Sequence, residues 1–333
     1  LGDVYKRQPT NTLSPYLSCR YFTASQELLR YLLASSRSVM PVIFMKVSTL
    51  EHFLKGDLSR PFPELHSALR DRVARFYDFS WDPRLYDVTS CFDEATFFYD
   101  LFTAFSRLYL HGSYGVGKTR LMLALTYASR HGFPVIDPSD ASSYRSIEAL
   151  GPTIGIDESE LTPRLMKILG AGYKSGVKVP RVDKAAKDRL MLKLMDIYAP
   201  VIMAFTDEPP EFMKQRCIVV TLRKASDPIG RDPTALDFED LREELYLARL
   251  TRLNEVIEAA RQVKEELRVY EGRVKELWLP ILTMAKLAGE EVYRTVKDVM
   301  EEDVKRRSTE LYSEERLVLE VVKAFLEEAR ASK

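Results

Sequence analysis

Between residues 107 and 222 the chain alternates short, uninterrupted apolar runs with helical segments, and this pattern constrains its fold more than any other feature. Each run holds four to six residues, and several are rich in β-branched side chains. Strands that are buried on both faces of a parallel sheet have this character. The five runs are Leu108–His111, Pro134–Asp137, Thr153–Asp157, Val201–Thr206 and Cys217–Leu222. The pattern predicts an α/β core with a five-stranded, mostly parallel sheet.

The loop after the first run adds a chemical constraint. Residues 112–119 read Gly-Ser-Tyr-Gly-Val-Gly-Lys-Thr, the G-x-x-x-x-G-K-[ST] pattern of a phosphate-binding loop. Glycines let backbone N–H groups surround phosphate, the lysine reaches the β- and γ-phosphates, and the threonine hydroxyl can bind Mg²⁺. A helix predicted from Thr119 places its N-terminus at the phosphates; a glycine-rich turn that binds nothing is the alternative. The predicted nucleotide contacts are Gly112, Ser113, Tyr114, Gly115, Val116, Gly117, Lys118, Thr119 and Arg120.

The third run ends in two adjacent carboxylates, Asp157 and Glu158. In ATP hydrolysis an aspartate at this place holds Mg²⁺ through water, and a glutamate beside it polarises the attacking water. With the loop, the pair predicts ATP and Mg²⁺ as cofactors, Thr119 and Asp157 as metal ligands, and Lys118 and Glu158 as catalytic residues. A functionless Asp-Glu pair at a strand end is the alternative. A small-molecule kinase does not need a water-activating glutamate, so this pattern disfavours that class.

Polar residues flank the last two runs. Thr206 and Asp207 are predicted to sense the γ-phosphate or to orient water, although a helix-capping threonine explains them equally well. Arg216 opens the last run and is predicted to act as an arginine finger on the nucleotide of a neighbouring subunit. Arg223 closes this run and is the weaker candidate for that role. A surface salt bridge is the alternative for both arginines.

Residues 167–187 concentrate positive charge in a chain that has 49 basic and 49 acidic residues and no net charge. The segment holds six basic residues against one acidic residue, and its glycines and proline predict a loop or hairpin. In a ring ATPase such a hairpin would face the central channel and hold a phosphate backbone, with Tyr173 adding base stacking. A solvated basic loop is the alternative. The predicted nucleic-acid contacts are Lys174, Lys178 and Arg181.

Outside the α/β region the chain is predicted to be mostly helical. The apolar periodicity predicts a helix over Glu94–Phe105 and one continuous amphipathic helix from Leu241 to Leu267. The predicted organisation is a processing scar at residues 1–8, a helical N-terminal region at 9–92, the ATPase core at 93–228, a helical lid at 229–312, and a terminal helix at 313–333 that resembles the start of a truncated winged-helix domain.

Composition excludes several classes of protein. The chain is 46% hydrophobic and 29% charged, as soluble globular proteins are. No run of about 18 apolar residues is present, so no membrane contact is expected. Cys19, Cys91 and Cys217 have no metal-ligand spacing, which predicts a cytoplasmic protein without a disulfide framework or a zinc site.

Several segments resemble one family of P-loop ATPases. They are Glu148–Glu158, Ile168–Arg181, Tyr198–Ala204, Arg216–Arg223 and Arg273–Leu282. The family is domain of unknown function 3631, found in phage- and plasmid-type primase–helicase proteins and similar to superfamily 3 helicases. The resemblance covers roughly residues 95–300. It implies ATP-driven work on DNA in the replication of a mobile element, by a homo-oligomer in the form of a hexameric ring.

The residues and the resemblance together predict an Mg²⁺-dependent ATPase with a RecA-like or AAA+-like P-loop core that unwinds or translocates single- or double-stranded DNA. The alternative is a regulatory or remodelling ATPase that acts on a protein partner without DNA. Stimulation of hydrolysis by DNA or by a protein distinguishes the two.

Overall fold

The computed structural model of this protein describes residues 45–136, 151–157, 161–184, 190–225, 230–270 and 272–309, without the side chains of 136, 181–184, 190, 191 and 193. All of them belong to the compact unit Ile43–Lys333. The predicted scar, the first part of the N-terminal region, Glu158 and the terminal helix lie outside the described residues. None of the described helices is long and apolar enough to cross a membrane.

A five-stranded sheet forms the centre of the described structure, and all of its strands are parallel. Its strands are β1 (Arg107–His111), β2 (Phe133–Ile136), β3 (Ile154–Asp157), β6 (Val201–Phe205) and β7 (Cys217–Thr221). Their order is β2-β3-β6-β1-β7, so β6 lies between β1 and β3. The predicted α/β class and the five-stranded sheet are confirmed. We call the end of the sheet at His111 and Asp157 the carboxyl edge, and the opposite end the amino edge.

Both faces of the sheet are buried, which explains why its strands are apolar without alternation. On β1, Leu108 and Leu110 belong to one core cluster, whereas Tyr109 between them belongs to another. On β6, Ile202 and Met203 divide in the same way. Strand β1 therefore contributes core on both sides, and its backbone is fixed at the centre of the fold.

Helices cover both faces. They are α1 (Val47–Lys55), α2 (Phe62–Ala74), α3 (Arg84–Thr96), α4 (Lys118–Ala128), α5 (Pro163–Ala171), α6 (Glu211–Lys214), α7 (Glu239–Thr251), α8 (Leu253–Glu266), α9 (Arg273–Ala288) and α10 (residues 290–309). The larger core cluster joins side chains of α2, α3, α4 and α7–α10 to one face of the sheet. The smaller one joins α5 and α6 to the other face. The larger cluster crosses both predicted domain boundaries, at residues 92/93 and 228/229, and those boundaries stay predictions.

The predicted helix over Leu241–Leu267 is wrong in one respect, because the chain forms two helices that meet at Arg252. The Arg252 backbone leaves helical geometry, with φ −119° and ψ 18°. Its guanidinium donates to the Ser59 hydroxyl at 2.9 Å and to the Ser59 carbonyl at 2.7 Å. This contact with a residue far away in the sequence separates the two helices at Arg252. The periodic apolar pattern does not predict it.

The predicted helix over Glu94–Phe105 is also wrong, since α3 ends at Thr96 and a short 3₁₀ turn at Tyr99–Leu101 follows. The Thr96 hydroxyl accepts a hydrogen bond from the Arg130 N–H at 3.0 Å. Phe97 and Phe98 are fully buried. The aromatic residues of this segment therefore pack into the core from an irregular backbone.

The basic segment contributes only the first strand of the hairpin, and the second strand lies beyond residue 187. Strands β4 (Lys178–Lys184) and β5 (Leu190–Asp196) pair antiparallel, while Lys167 lies in helix α5. The hairpin leaves the fold at the amino edge, because Asp196 ends β5 just before Val201 begins β6.

Candidate functional site

The loop between β1 and α4 needs glycine for two different reasons. Gly115 and Gly117 have φ angles of +78° and +88°, in the left-handed region that side chains other than glycine rarely adopt. Gly112 is constrained by packing, because a Cβ there would lie 2.9 Å from the Val116 side chain and 3.0 Å from the Leu222 carbonyl oxygen. The start of the loop is therefore packed tightly between the Val116 side chain and the residue that follows β7.

Lys118, the first residue of α4, is buried inside this loop, with 5% of its surface exposed. Its ammonium donates to the carbonyl oxygens of Gly112 and Ser113 at 2.9 Å and 3.0 Å. It also donates to the Thr206 hydroxyl at 3.0 Å and lies 5.2 Å from the centre of the Tyr114 ring. The positive charge is thus positioned between the loop and the end of β6 by fixed dipoles.

Thr119 and Asp157 meet beside Lys118. The Thr119 hydroxyl lies 3.1 Å from Asp157 Oδ1, to which it donates a hydrogen bond. The two residues come from the start of α4 and the end of β3, and Thr206 follows β6 between them. Parallel strands bring their carboxyl ends to one edge, and helix α4 begins there. The sheet order therefore assembles a lysine, two hydroxyls and a carboxylate at one place.

Other residues predicted for this site have separate partners. Arg120 forms an ion pair with Asp232, with Nε 2.9 Å from Oδ1. Asp207 is exposed, and its backbone carbonyl accepts a hydrogen bond from Tyr109 Oη at 2.9 Å. Glu158 lies outside the described residues, directly after the carboxylate of Asp157.

Arg216 lies at the amino edge, where β7 begins. The loop of the same chain lies at the opposite, carboxyl edge of the sheet. Arg216 donates to the Phe212 carbonyl at 2.8 Å. Its guanidinium also lies 5.7 Å from the centre of the Tyr173 ring. Tyr173 is itself only 6% exposed, so its ring is not available to stack on a base, and that part of the prediction is wrong.

Arg223, the weaker candidate, lies on the loop side of the sheet among aromatic residues that the sequence interpretation missed. Its guanidinium is 4.9 Å from the centre of the Trp81 ring, and its carbonyl accepts from Tyr77 Oη at 2.9 Å. The Tyr77 ring packs against Gly117, 3.3 Å from where a Cβ would be. Burial raises the pKa of Tyr77, so its hydroxyl stays a hydrogen-bond donor. No local sequence pattern predicts the contact between Tyr77 and the loop, because the two segments are far apart in the sequence.

The predicted nucleic-acid contacts lie at the amino edge, away from the loop. Lys174 forms a half-exposed ion pair with Glu276 at 2.8 Å, and this hydrogen bond raises the pKa of Lys174. Lys178 is exposed at the start of β4. The side chain of Arg181, further along β4, lies outside the described part of the chain. The structure thus separates the basic hairpin from the phosphate-loop residues by the length of the sheet.

Comparison with known proteins gives only distant likenesses, to solved structures. No family model and no curated protein matches the chain, so the resemblance to domain of unknown function 3631 stays a prediction. Among solved structures, one described as "SCCmec type IV Cch - active helicase" is 11% identical to this chain, with a TM-score of 0.42. The match covers 68% of this chain and 47% of that structure. A likeness this distant supports no assignment of activity.

Proposed function

We propose that this protein binds and hydrolyses ATP with Mg²⁺ at the carboxyl edge of its sheet. The observation that carries the proposal is the convergence of Lys118, Thr119, Asp157 and Thr206 around a loop whose glycines are required by its geometry. These side chains come from α4, β3 and β6, so their meeting is a property of the fold. A glycine-rich turn without function does not explain the buried lysine or the paired threonine and aspartate.

The chemistry of the donor set fits a magnesium nucleotide. The Lys118 ammonium and the loop N–H groups suit phosphate oxygens, and the helix N-terminus favours negative charge. The Thr119 hydroxyl and the Asp157 carboxylate are the hard oxygen ligands that Mg²⁺ prefers. Bound there, Mg²⁺ would neutralise charge on the phosphates. Glu158 would hold and deprotonate the attacking water, and Thr206 would orient it.

The strand order supports a RecA-like or AAA+-like ATPase. Strand β6 separates the strand that enters the loop from the strand that ends in Asp157. Thr206 directly follows this intervening strand and contacts Lys118, so we propose that its side chain responds to the γ-phosphate. Arg216 lies far from the loop of its own chain. We therefore propose that it acts as an arginine finger on the nucleotide of a neighbouring subunit.

We propose DNA as the substrate on which hydrolysis does work, with the β4–β5 hairpin as the contact. The support is its charge and its position: Lys178 is exposed on β4, and β5 leads directly into β6 and Thr206. A cationic hairpin holds phosphate backbones by charge alone, so binding will weaken as salt rises.

One observation favours the alternative, a protein substrate. Leu192 and Leu194 alternate on β5 and are 67% and 54% exposed. Alternate residues share a face of a strand, so the hairpin presents an apolar pair to its surroundings. A protein partner or a neighbouring subunit would cover this pair, whereas DNA would not need it.

The first test measures ATP hydrolysis by the full chain and by Lys118→Ala, Asp157→Asn and Glu158→Gln. We expect each variant to lose more than about 100-fold in rate. Lys55→Ala and Asp71→Asn, at exposed positions elsewhere, are the matched controls and should leave the rate unchanged. Hydrolysis that survives in Lys118→Ala would refute the site.

The second test measures stimulation by single-stranded DNA across a salt series. If DNA is the substrate, a Lys174→Ala/Lys178→Ala variant should lose the stimulation and keep the basal rate. Leu192→Ser/Leu194→Ser should leave DNA stimulation intact. Hydrolysis that ignores DNA at every salt concentration would overturn the DNA proposal and leave the ATPase proposal standing.

A further inference from the structure

A buried polar cluster between α2 and α3 is not used by the proposed ATPase chemistry. The side chain of His66 on α2 is 4% exposed and that of Glu94 on α3 is 1% exposed, while Cys91 on α3 is fully buried. Cys91 and Glu94 are one helical turn apart and share the face of α3 that meets His66. Burying such groups is costly unless each finds a partner. The cluster therefore calls for a ligand or a complete hydrogen-bond network.

The three donor atoms lie close enough together to share one metal ion. His66 Nδ1 is 3.2 Å from Glu94 Oε1 and 3.8 Å from Cys91 Sγ, and all three atoms lie within 4.8 Å of one another. Zinc bonds of about 2.0–2.2 Å to N and O and 2.3 Å to S imply about 3.4 Å between N and O, and about 3.6 Å between N and S. The two distances from His66 Nδ1 differ from these values by about 0.2 Å.

The other ring nitrogen of His66 is oriented as it is in metal-bound histidines. Asp87 Oδ1 lies 3.3 Å from His66 Nε2, and Arg70 Nε donates to the same oxygen at 2.8 Å. A histidine that binds metal through one nitrogen usually donates its other N–H to a carboxylate, which fixes the tautomer. Here that carboxylate turns Nδ1 toward Cys91 and Glu94.

A proton alone satisfies this cluster less well than a cation does. One N–H at His66 Nδ1 can bond to Glu94 or to Cys91, but a central ion bonds to both and to the ring. A neutral imidazole, a thiolate and a carboxylate carry two negative charges, which one divalent cation balances. We propose that His66, Cys91 and Glu94 bind a divalent transition-metal ion, with zinc suited best to this N, S, O donor set.

The proposed ion would join α2, which carries His66, to α3, which carries Cys91 and Glu94. Asp93, which precedes Glu94 on α3, accepts a hydrogen bond at 2.8 Å from the hydroxyl of Ser129, the residue after α4. Helix α2 leads within a few residues to Tyr77, which packs on Gly117. A structural metal at this place contributes to folding, because the site does not exist in the unfolded chain.

The test uses the full chain, expressed with zinc and, separately, with cobalt in the medium. Elemental analysis should find about one zinc per chain after dialysis. The cobalt form should show a thiolate-to-metal charge-transfer band and the intense visible bands of tetrahedral Co²⁺. The Cys19→Ser/Cys217→Ser variant keeps Cys91 as the last of the three cysteines, and it should retain both signals. A magnesium-type oxygen site cannot produce a thiolate band, so the nucleotide site is distinguished.

Substitutions in the cluster then assign the ligands. Cys91→Ser should remove the thiolate band, whereas the matched buried control Cys217→Ser should not. Asp87→Asn should weaken zinc binding by about 10- to 100-fold without abolishing it. Wild-type protein that contains no stoichiometric zinc, or a cobalt spectrum without a thiolate band, would overturn the proposal and leave a hydrogen-bonded histidine. Both of these measurements use the wild type alone, so they decide the question even where a variant fails to fold.

Discussion

Gly155, within β3, lies close against helix α4, and Gly155→Ala tests whether this close approach sets the geometry of the site. An added Cβ would lie 2.1 Å from Thr126 Oγ1 and 2.5 Å from Met122 Sδ. Ordinary contact begins at about 3.5 Å, so Thr126 Oγ1 must move by about 1.4 Å and Met122 Sδ by about 1 Å, through the helix or its side chains. Thr126 is β-branched and lies within a helix, where few rotamers are open to it. We expect a loss of about 2–3 kcal/mol in stability.

The same displacement should reach the proposed active site. Asp157 ends β3 two residues after Gly155, and Thr119 is the second residue of α4, the helix that the added Cβ would press against. Their oxygens are 3.1 Å apart, so a shift of about 1 Å breaks this hydrogen bond. Misplacement of a catalytic group by about 1 Å can cost about 100-fold in rate, so we expect ATP hydrolysis to fall by about 10- to 100-fold.

The assays are urea unfolding and ATP hydrolysis, applied to a double-mutant cycle. Thr126→Ala removes Oγ1 and should restore about 1 kcal/mol in the Gly155→Ala background, a coupling that independent sites do not show. Gly230→Ala is the matched control, because a Cβ there meets nothing within 4 Å. A Gly155→Ala protein that is as stable and active as the control would refute the reasoning, as would the absence of any relief by Thr126→Ala.

Three further predictions concern stability and are checked by urea unfolding of folded variants. Arg107→Met should cost about 3 kcal/mol, because the fully buried guanidinium donates to backbone carbonyls of two neighbouring segments that would be left unpaired; an unchanged midpoint contradicts this. Burial alone would raise the pKa of Asp100, but its two-point ion pair with Arg249 lowers it overall. The wild type should therefore lose this stabilisation as pH falls below about 4, and Asp100→Asn should flatten that part of the profile; identical acid profiles would be the contrary result. Trp278→Phe should cost about 3 kcal/mol, since it removes the buried hydrogen bond to Asp303 at 3.0 Å and leaves a cavity; a loss below about 0.5 kcal/mol would contradict it.

The sheet was predictable because its determinants are local. Each strand is a short apolar run, and burial on both faces leaves no polar alternation to obscure it. The loop was predictable for the same reason. Gly115 and Gly117 are required by their own backbone conformation, and Lys118 by the length and charge of its side chain. The meeting of Thr119 with Asp157 followed from topology, since parallel strands bring their carboxyl ends together.

The parts that the sequence did not predict depend on contacts between distant segments. The break at Arg252 is fixed by Ser59. Tyr77 reaches the loop from just beyond α2, and no local sequence pattern indicates a contact with the loop. The cluster at His66 has a faint signal, in which Asp87, Cys91 and Glu94 recur at helical spacing on one face of α3. Without the position of α2, this spacing cannot be distinguished from an ordinary core face.

The fold places the proposed chemistry and the proposed substrate contact at opposite edges of one sheet, and this separation restricts how they can be coupled. Strand β6 follows the hairpin directly and ends at Phe205, just before Thr206, which contacts Lys118. Its five residues span about 17 Å, the distance that any coupling must cross. Strand β1 crosses the same distance, with Arg107 holding the carbonyls of Leu169 and Ala199 at one end and the glycine loop at the other. Both strands are buried on both faces, so we expect them to move as rigid elements. A displacement of the loop at the carboxyl end of these strands would then displace the hairpin at their amino end.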